Sequence, residues 1–249
     1  MESYLKCEEC AGNVIDKEAG ILNRGNLRRL KSFLNRAAQG ERLTVGFIGG
    51  SITQGFAATE PDQCYAARTV AWLRKVFPNT EFDYVNAGIG ATNSQFGAAR
   101  VQEDLLRRLP DLVMVEFSVN DHCTPHDMET YEGLIRQIYG SRSCPAMVLL
   151  HSVYYDTGKS AAYYHAQIGR HYDLPCISMQ NSIYPAVAAG KLPAEKITAD
   201  FLHPNDLGHE FMASVITNFL EKVIHDKTEE QQEIFPAPLT ENAYEHCVR

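Results

Sequence analysis

Short, nearly continuous apolar runs recur along the chain at Leu43–Ile48, Phe82–Asn86, Leu112–Phe117, Ala146–Leu150 and Pro175–Ile177. Continuous rather than alternating hydrophobicity predicts strands buried on both faces. Around them, apolar residues return every three or four positions. That spacing predicts helices over Asn26–Ala38, Gln63–Val76, Gln95–Leu109, Asp127–Tyr139, Ser160–His171, Gln180–Ala189 and Asn205–Ile224. The last carries Leu207, Phe211, Val215 and Phe219 along one face. Strand–helix alternation with short turns predicts an α/β fold with a mostly parallel five-stranded sheet covered on both sides. Ligands bind such sheets where loops leave the carboxyl ends of the strands. The residues just after each strand therefore carry the functional information.

Composition narrows the classes further. At 249 residues, 45% apolar and 22% charged, the chain is long enough for one sizeable core and too apolar for disorder. A net charge of −8 lacks the basic footprint of a nucleic-acid partner. No apolar run nears the roughly 18 residues of a membrane span. The opening MESYLKCEEC has no basic stretch leading into an apolar segment, and seven thinly spread cysteines favour reduced thiols. Both point to a cytoplasmic setting. From His225 the chain turns rich in Glu and Gln and is then punctuated by Pro236 and Pro238. Residues 1–224 thus read as one domain with a leading helix, and 225–249 as a tail that wraps the surface or serves as a linker.

After the first strand comes Gly49-Gly50-Ser51-Ile52-Thr53, whose glycines allow a tight turn that leaves the Ser51 hydroxyl above the sheet. A helix-capping serine would read the same. The phosphate-binding and dinucleotide glycine patterns are absent, and Thr53 stands where a nucleophile elbow needs glycine. After the second strand, Asn86-Ala87-Gly88-Ile89-Gly90-Ala91-Thr92 offers backbone N–H groups for close approach, or a plain turn. After the third, Ser118-Val119-Asn120-Asp121 places an amide that can donate to an oxyanion, or an Asx turn. Ahead of the closing helix lies Asp200-Phe201-Leu202-His203-Pro204. There Pro204 extends the backbone at His203, and Asp200 can accept from its Nδ1–H, leaving Nε2 as a base. A second pair, Asp206 and His209, has helical i,i+3 spacing, so His209 is the reserve base.

These four blocks in this order resemble the SGNH (GDSL-type) hydrolases, from about Leu43 to Leu220. The resemblance implies a three-layer α/β/α, flavodoxin-like sandwich. It implies Ser51 as nucleophile, Asp200 and His203 as the rest of a triad, and an oxyanion hole of Ser51, Gly90 and Asn120. It also implies no metal or organic cofactor. Two departures matter. Gly50 stands where the family usually has Asp, and the second block is one residue short, so Gly90 or Ala91 supplies its N–H. The blocks look like those of bacterial carbohydrate acetyl esterases, implying acetyl esters on an oligosaccharide. The same triad could serve lipid or thioester substrates or acyl transfer, and the same fold a non-catalytic carbohydrate-binding protein. Ile52, Phe96, His122 and Phe201 are the candidate substrate contacts, with Phe56, Phe117, Tyr154 and Tyr155 near them.

Other signals are plain. Cys7 and Cys10 lack a second pair for zinc, and Pro125 separates His122 from His126. Glu116, in an apolar strand, must lie at the strand end or be paired. Arg24, Arg28, Arg29, Lys31 and Arg36 read as a solvated face of the leading helix.

Overall fold

The computed structural model describes residues 14–243, and the pair Cys7 and Cys10 lies outside them. Its strands are β1 (Ile21–Asn23), β2 (Leu43–Gly49), β3 (Phe82–Gly88), β4 (Leu112–Glu116), β5 (Ala146–His151) and β6 (Cys176–Ser178). They form one sheet in the order β1-β6-β5-β4-β2-β3. All neighbours are parallel except β1 and β6. Among the described residues the sheet therefore has six strands instead of the expected five. The addition, β1, is a three-residue antiparallel edge, too short and too evenly half-buried to leave a hydrophobic signature.

The helices are α1 (Arg28–Ala38), α2 (Ser51–Gln54), α3 (Tyr65–Val76), α4 (Ser94–Asp104), α5 (Pro125–Tyr139), α6 (Ala162–His171), α7 (Met179–Ser182), α8 (Tyr184–Ala188) and α9 (Asp206–His225). The single helix expected over Gln180–Ala189 is split into α7 and α8, with Pro185 in the first turn of α8. Proline suits a first turn, where its missing N–H costs no helical bond.

Alternate residues of each central strand feed two cores. Val45, Phe47, Met114 and Val148 pack with Phe33 of α1, Val70 of α3 and Val215 of α9. Ile48, Val113, Val115 and Leu149 pack with Val101 of α4, Leu134 of α5 and Ile168 of α6. Each fully buried side chain of this size contributes roughly 1.5–3 kcal/mol. The result is the three-layer sandwich.

The chain beyond α9 returns across the basic face. Nη2 of Arg24 lies 2.8 Å from Asp226 and 2.5 Å from Glu230, and Nζ of Lys31 lies 2.8 Å from Glu230. Nε of Arg29 meets Glu233 at 2.5 Å, and Arg36 pairs with Glu41 and Asp111. The Arg24 guanidinium holds the Glu230 carboxyl down to about 2. Further along, the Arg136 guanidinium lies 4.4 Å over the Phe235 ring, and Glu132 accepts the N–H groups of Leu239 and Thr240. Arg24, Arg29, Lys31 and Arg36 are thus ion-paired, not simply solvated. Apart from Glu41, five residues from Arg36, their acidic partners lie 75 to 206 residues away, beyond the reach of any local pattern.

Exposed ion pairs contribute about 0.2–1 kcal/mol each and are screened by salt. The double variant Arg24→Ala/Lys31→Ala should lose only a few degrees of Tm. Cleavage within 226–243 should become several-fold faster in limited proteolysis. A tail as resistant as the wild type's would show that the ion pairs do not hold it.

Candidate active site

Gly49 pairs with Gly88 on one side and Glu116 on the other, so β2, β3 and β4 end level. Their loops emerge together where the connections diverge to opposite sides of β2, the place where open α/β sheets bind ligands. Contacts at Gly49 are too close for a side chain. A Cβ there would lie 2.1 Å from Thr53 Oγ1 and 2.4 Å from the Glu116 carbonyl oxygen. The Gly49 carbonyl accepts from Arg100 Nη2 at 3.1 Å and from the Ile89 N–H at 3.1 Å.

Ser51 opens α2 and is 8% exposed. Its hydroxyl lies 2.9 Å from His203 Nε2, and His203 Nδ1 lies 2.6 Å from Asp200 Oδ2. A carboxylate only accepts, so Nδ1 carries the proton and Nε2 is left to accept from Ser51. Asp200 Oδ1 also accepts from the backbone N–H groups of His203 and Leu202 at 2.7 and 3.0 Å. Burial tends to raise the Asp200 carboxyl. The hydrogen bonds from the His203 side chain and the two N–H groups outweigh it and hold the carboxyl well below the usual carboxylate range. The loop is pinned by a bridge between Thr198 and Pro204 and by the Tyr155 N–H on the Phe201 carbonyl at 2.7 Å. Phe201 itself takes the left-handed conformation, with φ of 63°.

The reserve base does not reach the site. His209 is fully buried and accepts the Tyr65 N–H at Nδ1, 3.2 Å away. Burial pushes its imidazole down to about 4. Asp206 bonds Thr59 at both oxygens.

The Asn120 amide lies on Gly50, where a Cβ would come within 2.4 Å of Asn120 Oδ1. Gly50 has an ordinary φ of −87°, so its missing side chain provides space rather than conformational freedom. The Gly90 turn also abuts the serine, with a Cβ on Gly90 falling 3.8 Å from Ser51 Cβ. The Gly90 N–H donates to Gln54 Oε1 at 2.8 Å. No spacing rule marks Gln54, the last residue of α2, which turns its side chain onto this loop.

The expected substrate contacts divide. Ile52 is 1% exposed within the core and cannot touch a ligand. One step along α2 turns it about 100° away from Ser51. Phe117 and Tyr155 are buried as well. Phe96 and His122 line a cleft of about 480 Å³ with Asn120 and Tyr154. His122 and Tyr154 also border a cleft of about 680 Å³ whose lining includes Asp156, Lys159 and Gln180. Phe201 is half exposed, and the exposed Phe56 ring lies 4.5 Å from the His203 ring. Pro125 starts α5 between His122 and His126. No cluster of three or more His, Cys, Asp or Glu suited to a metal ion lies among the described residues. Glu116 ends β4 fully buried, accepting from the Ser118 N–H and hydroxyl, and burial pushes its carboxyl up.

Residues 47–211 match the model of the GDSL-like lipase/acylhydrolase family. A crystal structure of a two-domain esterase active on acetylated mannans is 53% identical, with a TM-score of 0.91. The alignment covers 93% of this chain, which spans 62% of that esterase's length. A structure of a two-domain esterase active on acetylated mannans, co-crystallised with mannopentaose, is 52% identical with a TM-score of 0.90 over the same shares. An acetyl xylan esterase from Geobacillus stearothermophilus shares the fold at 20% identity and a TM-score of 0.60, over 72% of this chain and 94% of its own. Among curated proteins none matches.

Asp200 also has a stability signature. Its folded-state pKa lies below the unfolded value of about 3.9, so its ionised form stabilises the fold above that pH, and the gain is lost as pH falls below it. The gap in Tm between wild type and Asp200→Asn should be full near neutral pH and shrink as pH drops through about 4. A gap that stays constant into that acid range would contradict the geometry.

Proposed function

The chain belongs to the GDSL-like lipase/acylhydrolase family, and on that premise we propose that it is a serine esterase removing acetyl groups from carbohydrate. The observation that carries this is the unbroken hydrogen-bond chain from Asp200 through His203 to Ser51, at 2.6 and 2.9 Å.

In this reading His203 Nε2 takes the proton of Ser51 as its oxygen attacks the ester carbonyl. The Ser51 N–H, the Asn120 amide and the Gly90 N–H, once Gln54 yields it, receive the oxyanion. The tetrahedral adduct collapses, the C–O bond to the sugar breaks, and His203 returns the proton to the leaving hydroxyl. Water then attacks the acetyl-enzyme with His203 again as base, releasing acetate and restoring Ser51. Asp200, ionised through this cycle, holds the imidazole in the working tautomer and stabilises its protonated form. Carbohydrate is favoured over lipid by Asp156, Lys159 and Gln180 lining the cleft beside His122 and by three half-exposed rings, Phe56, Phe96 and Phe201, suited to sugar faces. Mannan is the first polymer to test, because the esterase at 53% identity acts on acetylated mannans.

Hydrolysis of 4-nitrophenyl acetate should fall by about a thousandfold or more in Ser51→Ala and by roughly 100- to 1,000-fold in Asn120→Ala. Gly50→Ala, whose Cβ presses on the Asn120 amide, should lower kcat by about 10- to 100-fold. Acetate release from acetylated mannan should exceed that from acetylated xylan. Equal rates for wild type and Ser51→Ala would end the esterase reading, and a preference for xylan would end the mannan one.

A further inference from the structure

The residue after Asn120 is an acid with a wholly buried side chain. Both oxygens of Asp121 are engaged. Oδ1 accepts the Ser94 N–H at 2.9 Å, and Oδ2 lies 2.8 Å from His165 Nε2. His165 projects from α6, is 1% exposed, and lies face to face with the Tyr131 ring of α5 at 3.5 Å. Ser94 is the first residue of α4, immediately after the loop that carries Gly90, and its hydroxyl bonds Thr130 of α5 at 2.8 Å. That helix already has its own cap, since Asn93 accepts the Phe96 N–H. The bond that Asp121 accepts therefore ties the Asn120 turn to the start of α4, directly after the Gly90 loop. At the other end of the turn, Ser118 is tied to Glu116, and the Asn120 and Asp121 N–H groups donate to the Phe117 carbonyl.

Burying a carboxylate is costly unless every partner is in place. Here the partners lie on the Gly90 side of the site and on a helix behind it. We propose that Asp121 is a positioning residue. Held by His165, its carboxylate sets the spacing between the Asn120 turn and the Gly90 loop, and so the geometry offered to the oxyanion. This rests on the reading of Asn120 as an oxyanion donor. The Asp121 side chain, wholly buried, acts through its neighbour.

The test is a double-mutant cycle on 4-nitrophenyl acetate hydrolysis, with Tm followed alongside. Asp121→Ala should lower kcat by about 100-fold and change KM by less than about threefold, as expected when reacting groups are misplaced. Asp121→Asn keeps the acceptor for Ser94 but points an amide N–H at His165. Its imidazole must then shift its proton to Nδ1, which has no partner among the described residues. That variant should lose about tenfold. In the Asn120→Ala background either change should cost less than about threefold more, because the group being positioned is gone. Should Asp121→Ala fail to fold, Asp121→Asn completes the cycle alone. Losses that multiply fully in both backgrounds, or an Asp121→Asn kcat within threefold of wild type, overturn the proposal. An Asn120→Ala variant as active as wild type would instead defeat the oxyanion reading, and this inference with it.

Discussion

The register that pairs Gly49 with both Gly88 and Glu116 is the constraint on which the site depends. It makes three parallel strands end at one level, so that loops distant in sequence open at the same place. The register is enforced from below. Val45 and Phe47 face one core and Ile48 the other, and a slip of one residue would exchange them. It is enforced from above as well, because the close approach of Thr53 and the Glu116 carbonyl to Gly49 leaves no room for a side chain. Packing that would serve any doubly wound sheet here also sets where a serine, a glycine turn and an amide meet.

Histidines six positions apart illustrate how environment assigns roles. His203 lies at the surface, oriented by a carboxylate on one nitrogen and facing a hydroxyl with the other. His209 is sealed in the core, depressed by burial, and accepts the Tyr65 N–H at the start of α3. An aspartate lies three residues before each, so spacing alone does not tell them apart. The loop does: Pro204, Thr198 and Tyr155 hold the first pair open to Ser51, whereas Asn205 caps α9 and carries the second pair into the helix.

Most of the sheet was legible because strands buried on both faces write continuous apolar runs, and the strand-end blocks were legible because they follow those runs directly. Ile52 misled because sequence adjacency to Ser51 says nothing about helical phase once α2 begins. The edge strand β1 was hidden by its length, and the break between α7 and α8 by apolar periodicity that continues past Pro185. Gln54 and the ties between the tail and α1 left no trace. Each depends on a partner brought near only by the finished fold. The Asp121 pair lies in between, since its acid sits inside a recognised block but its histidine comes from a helix 44 residues further on.

Phe201 sits between Asp200 and His203 in a left-handed backbone conformation, with half its surface in solvent. Neither feature favours folding. Glycine or asparagine would take that dihedral at less cost, and a polar side chain would suit water better. Selection for thermal tolerance alone would therefore press to replace this residue, and would remove an aromatic face from beside Asp200 and His203 in doing so. At position 201 the backbone dihedral and the exposed ring are two separate costs to the fold, carried by one residue between Asp200 and His203.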